Sequence, residues 1–376
     1  MTTSSDGMAY DVAIQGDGKI LVAGDGASVV RYNDDGTLDL AFGTDGIADM
    51  PAGLSSIRDM AIQGDGKIVV AGIGSSGGFF RMAAARLNVD GSLDDSFGTV
   101  GNGHVFYSPF TSNGSYGAQG VAIQSDGKIV LAGETADRFA VVRLTTAGAL
   151  DTDAATGFGP GQIGYVTTVI QAFSRANAVA VQADGKIVVA GQSYLGDFTN
   201  FAASIARYNT DGSLDIVGWG GGAGYILSTF ISDPTALVIQ NGRVVVAGEH
   251  LVGSHFEFAM LGFSSDGLLD NTFGDSGFVT TPVGDSATAY AMAVGDDGIL
   301  LAGNATVGSN SVLPVARYTA NGILDTTFGS PDGYVYTEIG GSPYAYGLAI
   351  DSSDRIVVAG GQGSGTSAFI VARYLP

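Results

Sequence analysis

The chain has 376 residues, a net charge of −21 at pH 7, no cysteine, and 33 Asp among its 37 acidic residues. This charge argues against nucleic acid and anionic membranes as partners, because both would be repelled. The lack of cysteine excludes disulfides, thiolate metal sites and thiol nucleophiles. The sequence also lacks the run of 18 apolar residues that would predict a membrane-spanning helix.

The predicted elements repeat along the whole chain. A strand of the type AVAIQ leads through a GDGK turn into a second strand, IVVAG. A period of this size, built of strands alone, is typical of a repeat architecture. The seven copies close at glycines spaced 48, 61, 58, 57, 55 and 57 residues apart, namely Gly24, Gly72, Gly133, Gly191, Gly248, Gly303 and Gly360.

Each copy predicts a unit of four strands. In the fourth copy these are residues 164–170, 178–182, 186–191 and 203–208. Val and Ile dominate them, as expected for sheets packed on both faces, and Asp-Gly or Asn-Gly turns favour hairpins. We expect a single domain, residues 1–376, with units near 1–43, 44–98, 99–159, 160–220, 221–274, 275–329 and 330–376.

A second repeated phrase follows the fourth strand, as NDDGTLDLAFG in the first unit and NVDGSLDDSFG in the second; we call it the LD phrase. Its leucine and aromatic residue predict plugs between adjacent sheets. The third copy has an insertion between Asp151 and Phe158, and the fourth has Trp219 in place of Phe. The pattern predicts an all-β, seven-bladed β-propeller with four antiparallel strands per blade. Since the last unit stops at ARYLP and the N-terminus resembles a first strand, the N-terminal strand should close the ring.

In combination, the motifs DGKIVVAG and DGSLDxxFG resemble the delta-60 repeat family, a bacterial β-propeller repeat of unassigned role. The resemblance covers nearly the whole chain. It implies the propeller fold and an envelope or extracellular setting, and it implies no reaction. The sequence departs from the pattern at Asp297-Gly298-Ile299, which lacks the basic residue, and at Gly262, where other units have Arg.

Twelve of the 16 basic residues recur at two positions of the repeat. A position repeated in every unit serves the unit, so we predict that the arginines ending the fourth strand pair with the Asp of the LD phrase. A basic ring that binds a ligand is the alternative. Unit five has Gly262 at this position and is expected to be less stable. Four arginines lie outside the pattern: Arg58, Arg81, Arg138 and Arg175.

The loops that differ between units are the predicted ligand-binding surface. The two repeated turns should lie on one face of the disc, and the variable loops on the other, where a rigid scaffold commonly carries function. Exposed aromatic side chains there would suit sugar rings or apolar side chains of a partner. The candidate ligand-binding residues are Phe79, Phe80, Arg81, Glu134, Arg138, Tyr194, Phe198, Glu249, His250 and His255.

The position just after each closing glycine is polar in five of seven units, among them Asp25, Glu134 and Glu249. It predicts either a hydrogen-bonding rim around a shallow pocket or a strand that simply ends in water. The second interpretation is favoured, because loops are usually solvated.

Metal chemistry has two candidate segments. Glu249, His250, His255 and Glu257 are close in sequence and offer zinc-type ligands, but their spacing matches no defined motif, so exposed polar loop residues are the favoured interpretation. The segment 33–39 superficially resembles a calcium loop, yet the third copy lacks its central carboxylate, so a tight turn is preferred. We therefore expect no cofactor, with Ca or Zn as the alternatives.

The sequence contains no GxSxG, P-loop or HExxH motif. It favours a non-enzymatic binding or adhesion module of a bacterial secreted or surface protein. The alternative is a metal-dependent hydrolase or lactonase with its site at the propeller axis, because isolated acidic residues that meet at an axis leave no local spacing signal. We expect a monomer that binds a glycan or a protein, with any signal or anchor outside this chain.

Overall fold

The computed structural model describes residues 2–99, 101–107, 115–196, 200–363 and 368–375. Its strands form seven antiparallel sheets of four strands each. The predicted seven-bladed β-propeller is confirmed. The described residues contain one short 3-10 turn, Gly220–Gly222, and no helix that is long and apolar enough to cross a membrane.

Strand β1 (Thr2–Asp6) begins the chain and is the outer strand of the last blade. From the inner to the outer strand, blade 1 contains β2 (Ala9–Ile14), β3 (Ile20–Gly24), β4 (Ser28–Tyr32) and β5 (Ile47–Asp49); blade 2 contains β6 (Leu54–Ile62), β7 (Ile68–Ser76), β8 (Phe79–Leu87) and β9 (His104–Tyr107); blade 3 contains β10 (Ser115–Ile123), β11 (Ile129–Thr135), β12 (Arg138–Leu144) and β13 (Tyr165–Thr168). Blade 4 contains β14 (Ser174–Val181), β15 (Ile187–Tyr194), β16 (Phe201–Tyr208) and β17 (Tyr225–Ser228); blade 5 contains β18 (Pro234–Gln240), β19 (Arg243–Val252), β20 (His255–Phe263) and β21 (Phe278–Thr281). Blade 6 contains β22 (Ser286–Gly295), β23 (Gly298–Val307), β24 (Asn310–Tyr318) and β25 (Tyr334–Thr337); blade 7 contains β26 (Pro343–Ile350), β27 (Ile356–Gln362), β28 (Ala368–Tyr374) and β1.

The grouping of strands into units was predicted wrongly by one strand. The predicted first strand of unit four, β13, pairs with β12 and is therefore the outer strand of the preceding blade. The reason lies in the LD phrase, which stays bonded to the strand before it, as Asp151 N–H donates to the Arg143 carbonyl over 2.9 Å. The chain thus turns back onto the same sheet before it moves to the next blade.

Both ends of the chain meet in blade 7. Strand β1 pairs antiparallel with β28, with Thr2 opposite Ile370 and Thr3 opposite Phe369. The N-terminal strand therefore closes the ring, as predicted. This pairing covers the edge of β28 that would otherwise expose unpaired backbone groups.

The aromatic residues of the LD phrases are plugs between blades, as predicted. Phe42 packs with Val29 of its own blade and with Ile68 and Leu87 of blade 2. Trp219 replaces Phe in the same role between blades 4 and 5. The six plugs are at most 6% exposed: Phe42, Phe97, Phe158, Trp219, Phe273 and Phe328.

The repeated arginine joins each plug to a buried ion pair. Asp39 Oδ2 accepts from Lys19 Nζ and from Arg31 Nε, both over 2.8 Å. The hydrogen bond from Lys19 is the main reason why the pKa of Asp39 lies below its usual value. The Arg31 guanidinium lies 4.3 Å from the centre of the Phe42 ring and donates to the Val89 carbonyl of blade 2 over 2.5 Å.

This arrangement, which we call the arginine latch, therefore ties blade 1 to blade 2. It recurs with Arg86, Arg143 and Arg207, each of which pairs with the LD-phrase Asp, lies over the plug and donates to a carbonyl of the following blade. The predicted pairing is confirmed. The latch also shows that the GDGK turns and the LD phrases share one face, which we call the repeated-turn face, whereas the variable-loop face lies opposite.

Blade 5 builds the latch from a different position. Gly262 stands where other blades have Arg, but Arg243, at the position of the repeated Lys, pairs with Asp270 over 2.7 Å. Its guanidinium lies 5.2 Å from the centre of the Phe273 ring and donates to the Ala320 carbonyl of blade 6 over 2.9 Å. Blade 5 therefore keeps the contacts that Gly262 was expected to remove, so the reason for expecting it to be less stable no longer applies.

Arg207→Ala should lower the free energy of unfolding by roughly 3 kcal/mol, because Asp215 would remain buried without its main partner. The measurement is chemical denaturation of the wild type and the variant at pH 7. Arg138→Ala, in which an exposed arginine is removed from the opposite face, is the matched control and should change stability by less than about 0.5 kcal/mol. Equal effects of the two substitutions would contradict a structural role for the latch.

Candidate functional site

Every inner strand has a β-bulge in its first half. In blade 1, Ala9 pairs with Gly24 and Asp11 with Ala23, so Tyr10 is an extra residue. The same shift occurs in the other six inner strands, and a bulge redirects the side chain of its extra residue. These bulge residues, all polar and all half-buried, are Tyr10, Arg58, Gln119, Asn177, Thr235, Tyr290 and Tyr346.

The closing glycines make room for these bulges. A Cβ atom at Gly24 would overlap the Met8 carbonyl oxygen, and one at Gly191 would overlap that of Arg175. None of the seven glycines has a positive φ, so their small size is the requirement. The same kind of overlap would occur at Gly72, Gly133, Gly248, Gly303 and Gly360.

Side chains from the inner strands meet in a cavity of about 180 Å³ on the propeller axis. All seven inner strands contribute to its wall, and all seven bulge residues line it. Because these residues lie near the starts of the inner strands, the cavity occupies the half of the channel nearest the variable-loop face. We call it the axial cavity.

Aromatic rings form one side of the axial cavity. The ring centre of Tyr346 lies 5.4 Å from that of Tyr10 and 4.9 Å from that of Tyr290, and Tyr344 stacks on Tyr346 at 5.8 Å. The Arg58 guanidinium lies 4.0 Å from the centre of the Tyr10 ring, a cation–π contact. Its Nε–H is buried and has no hydrogen-bond partner among the described protein atoms.

Two carboxyl groups from neighbouring blades, Asp11 of blade 1 and Asp59 of blade 2, lie side by side in the cavity wall. Asp11 accepts from the backbone N–H of Met60 over 2.9 Å, and Asp59 accepts from that of Val121 over 2.6 Å. Burial raises the pKa of Asp59 to about 6. Burial, followed by the neighbouring Asp59 carboxylate, raises the pKa of Asp11 well above its usual value. The pair is therefore suited to hold a proton near neutral pH.

The polar residues after the closing glycines form bonds between blades. Asp25 accepts from Ser56 of blade 2 over 3.0 Å, and Asn304 donates to the Pro343 carbonyl of blade 7 over 2.7 Å. Glu249 accepts from Thr288 of blade 6 over 2.7 Å. The favoured interpretation, a strand that ends in water, is therefore wrong for these positions, because their side chains hold neighbouring blades together.

Arg175, two residues before the bulge residue Asn177 in β14, lies among acidic groups. Its guanidinium is 3.5 Å from Asp233, which also accepts from the bulge residue Asn177 over 2.8 Å. Glu134 is only 2% exposed, and its Oε1 has no hydrogen-bond partner among the described atoms. Burial, partly offset by Arg175, raises the pKa of Glu134 to about 7.

The predicted aromatic loop of blade 2 is exposed. Phe79 and Phe80 lie at the tip of the hairpin formed by β7 and β8, with 43% and 59% of their surfaces accessible. The Arg81 guanidinium lies 5.3 Å from the centre of the Phe79 ring. These three residues are far along a projecting hairpin and do not line the axial cavity.

The other predicted aromatic residue, in blade 4, packs inside its own loop. Tyr194 contacts Phe173 and Phe201, with ring centres 4.8 and 4.5 Å apart. Arg138 is exposed at the start of β12. Phe198 lies outside the described residues.

The predicted metal segment is a hairpin, β19 and β20. His250 stacks on Phe230 with ring centres 4.3 Å apart, and its Nδ1 lies 2.6 Å from the Phe230 carbonyl oxygen. His255 contacts Glu257 over 3.4 Å, while Glu249 bonds to blade 6. Across the part of the chain that the structure describes, no three His, Asp or Glu side chains are placed to hold a metal ion.

The structure thus brings together residues that the sequence analysis did not select. Arg58 and Arg175 were noted only as exceptions to the repeat, and the other bulge residues were not noted. A signal was present in the residue directly before each AVAIQ segment. That residue is polar in every copy and varies from Tyr to Arg to Thr, while most residues around it are small or aliphatic.

A family model described as a domain of unknown function (DUF5122) beta-propeller matches five segments of the chain, residues 15–42, 63–97, 124–153, 182–215 and 295–328. The chain is a β-propeller repeat protein. The matched segments run from the GDGK turn through the LD phrase of blades 1 to 4 and 6. The matched segments do not include blade 5 or blade 7.

The solved structures that align with this chain include a semaphorin and a lyase. Drosophila Semaphorin 2a aligns with a TM-score of 0.53 and 9% identity, covering 100% of this chain and 74% of the semaphorin chain, a likeness of fold alone. Virginiamycin B lyase from Staphylococcus aureus aligns with a TM-score of 0.41 and 11% identity over 85% of this chain and 84% of the lyase. No curated protein matches the sequence.

Asp59→Asn should change how stability depends on pH. The folded protein raises the pKa of Asp59 and so binds its proton more tightly than the unfolded chain does. The resulting stabilisation is present below about pH 4 and is lost as the pH rises through about 6. The stability of the variant relative to the wild type should therefore improve by roughly 1 to 2 kcal/mol between pH 4 and pH 7, a value reduced for solvent in the cavity.

Urea denaturation at intervals from pH 4 to pH 7 measures this difference. Asp35→Asn is the control, because the hydrogen bonds from Thr37 hold the pKa of this exposed turn residue below its usual value. Parallel stability curves for the wild type and Asp59→Asn would contradict the assignment of a buried, proton-binding pair.

Proposed function

We propose that this propeller is a non-enzymatic binding module whose ligand enters the axial cavity from the variable-loop face. The observation that carries the proposal is the set of seven bulge residues. Seven nearly identical blades present seven polar side chains at one equivalent position, and these are of five different types, from Tyr to Arg to Thr. By contrast, the closing glycine, which the fold requires beside each bulge, is the same in all seven blades.

The chemistry of the cavity favours one sugar ring, such as the terminal residue of a glycan. Three tyrosines offer faces for stacking, and Gln119, Asn177 and Thr235 offer hydrogen-bond donors and acceptors. The cavity, with a volume of about 180 Å³, suits a small group such as one sugar ring.

The charge distribution favours a neutral ligand. Arg58 is the cation of the cavity wall, and the pair formed by Asp11 and Asp59 balances it. The overall charge of −21 disfavours anions. The unpartnered Nε–H of Arg58 is suited to a hydroxyl or carbonyl oxygen of the ligand.

The setting follows from the same proposal. We place the protein, as a monomer, in the delta-60 family and at the surface or outside of a bacterial cell, where glycans and partner proteins are accessible. The alternative, a metal-dependent hydrolase, would need at least three convergent ligands, whereas Asp11 and Asp59 are the two carboxyl groups of the axial cavity among the described residues.

Arg58→Met and Gln119→Leu should each weaken the binding of a sugar identified on a glycan array by at least tenfold, about 1.4 kcal/mol. Isothermal titration calorimetry measures the affinities, and thermal melting shows that the variants remain folded. Phe80→Ala and Arg81→Ala, on the projecting hairpin of blade 2, are the controls and should bind as the wild type does.

The opposite pattern would contradict the axial site: lost binding in Phe80→Ala or Arg81→Ala with normal binding in Arg58→Met. Metal analysis of the purified protein tests the alternative function. One tightly bound ion per chain, with a hydrolytic activity that chelation abolishes, would overturn the non-enzymatic assignment.

A further inference from the structure

Asn177 and Thr235 are the bulge residues of two neighbouring blades, 4 and 5, and both line the axial cavity. Each side chain also bonds to the blade that follows its own. The hydrogen-bonding groups of these two residues are therefore divided between the next blade and the cavity. This division determines which groups remain for a ligand.

The amide group of Asn177 has a fixed orientation. Its Nδ2 donates to the Pro234 carbonyl over 2.9 Å and to Asp233 Oδ1 over 2.8 Å, both at the start of blade 5. A backbone carbonyl can only accept, so the nitrogen rather than the oxygen of the amide must face blade 5. Both amide hydrogens are thus used, and Oδ1 has no hydrogen-bond partner among the described residues. Asn177 therefore offers the cavity an acceptor and no donor.

The hydroxyl group of Thr235 is engaged in the same way. Its Oγ1 donates to the Ala289 carbonyl of blade 6 over 2.8 Å, and the Ala247 carbonyl oxygen lies 3.3 Å away. Both partners can only accept, and a hydroxyl has a single hydrogen, so this hydrogen is used within the protein. The lone pairs of Oγ1 remain, and Thr235 also offers the cavity an acceptor.

Blade 2 supplies the opposite polarity. The Arg58 guanidinium carries donors only, and its Nε–H has no partner among the described protein atoms. The hydroxyl of the adjacent Tyr10 already donates to Asp25 over 3.2 Å. The cavity wall thus has an acceptor side, formed by Asn177 and Thr235, and a donor side, formed by Arg58.

We propose that Asn177 and Thr235 select a ligand with two neighbouring hydroxyl groups, one of which donates to Asn177 Oδ1 and the other to Thr235 Oγ1. The inference deepens the proposed function and rests on it, because it assumes that the ligand occupies the axial cavity. A hydroxyl both donates and accepts, so a further hydroxyl on the same ring can accept from Arg58. A ligand whose polar atoms cannot donate would leave the two protein acceptors unpaired, which weakens binding.

The test uses the full chain and the smallest probe of this pattern, vicinal cyclohexanediol, with its cis and trans isomers measured separately. Its ring can lie against the tyrosines of the cavity as a sugar ring would. The comparison probe is the analogue in which fluorine, which cannot donate, replaces each hydroxyl. We expect at least one diol isomer to bind, measured by ligand-observed NMR titration, and its difluoro analogue to bind roughly tenfold more weakly, because two hydrogen bonds are lost.

Thr235→Val and Asn177→Leu preserve the approximate size of each side chain and remove its acceptor. Each substitution should weaken diol binding roughly tenfold and leave the weaker binding of the difluoro analogue unchanged. Thr229→Val, at an exposed threonine between β17 and β18, is the matched control and should bind the diol as the wild type does. Thermal melting shows which variants are folded.

Three results would overturn the proposal: equal binding of the diol and the difluoro analogue, binding of neither diol isomer, or unchanged diol binding in folded Thr235→Val and Asn177→Leu. The comparison of the two probes needs no variant, so it decides even where a substitution prevents folding. Sugar binding that is lost in Arg58→Met, together with equal binding of the two probes, would refute this specificity and leave the axial site intact. Sugar binding that Arg58→Met leaves unchanged would contradict the axial site itself.

Discussion

The contact between each closing glycine and a backbone carbonyl of the inner strand determines the form of this propeller. The carbonyl occupies the place of a Cβ atom, so the inner strand can bulge directly beside it. The bulge turns one side chain toward the axis in every blade. The residue that is most constant in the repeat therefore allows the most variable one to line the cavity, and the scaffold and the candidate site share one cause.

Rigidity comes from two belts of contacts between blades. On the repeated-turn face, the arginine latch joins an ion pair, an aromatic plug and a carbonyl of the next blade. On the variable-loop face, Asp25, Glu249 and Asn304 bond to the following blade. Blade 5 supplies its guanidinium from Arg243 instead of position 262, which shows that the geometry, rather than the position in sequence, is the requirement. Between these belts, the bulge residues can vary without loss of the ring.

The repeat, the seven blades, the closing strand and the pairing of Arg with the LD-phrase Asp could all be predicted from the sequence. Each depends on residues that recur at regular intervals along the chain. The sequence did not show which blade the strand after each LD phrase belongs to, because a strand between two hairpins can pair with either neighbour. The short LD phrase decides this by keeping the strand on the preceding sheet. Aromatic residues in the variable loops, such as Phe80, led to the prediction of a binding surface at the loop tips, away from the axial cavity. The axial ring was recognisable in principle from the polar residue after Ala9 and its equivalents, but the convergence of Asp11 and Asp59 depends on the curvature of the ring.

The most direct test of the central claim is the free energy of unfolding of Gly72→Ala compared with Gly64→Ala, measured by chemical denaturation. A Cβ at position 72 would overlap the Ser56 carbonyl beside the Arg58 bulge, whereas one at position 64 meets nothing within 4 Å. The account predicts a loss of at least about 2 kcal/mol for Gly72→Ala and a change within about 0.5 kcal/mol for Gly64→Ala. Equal stability of the two variants would contradict it.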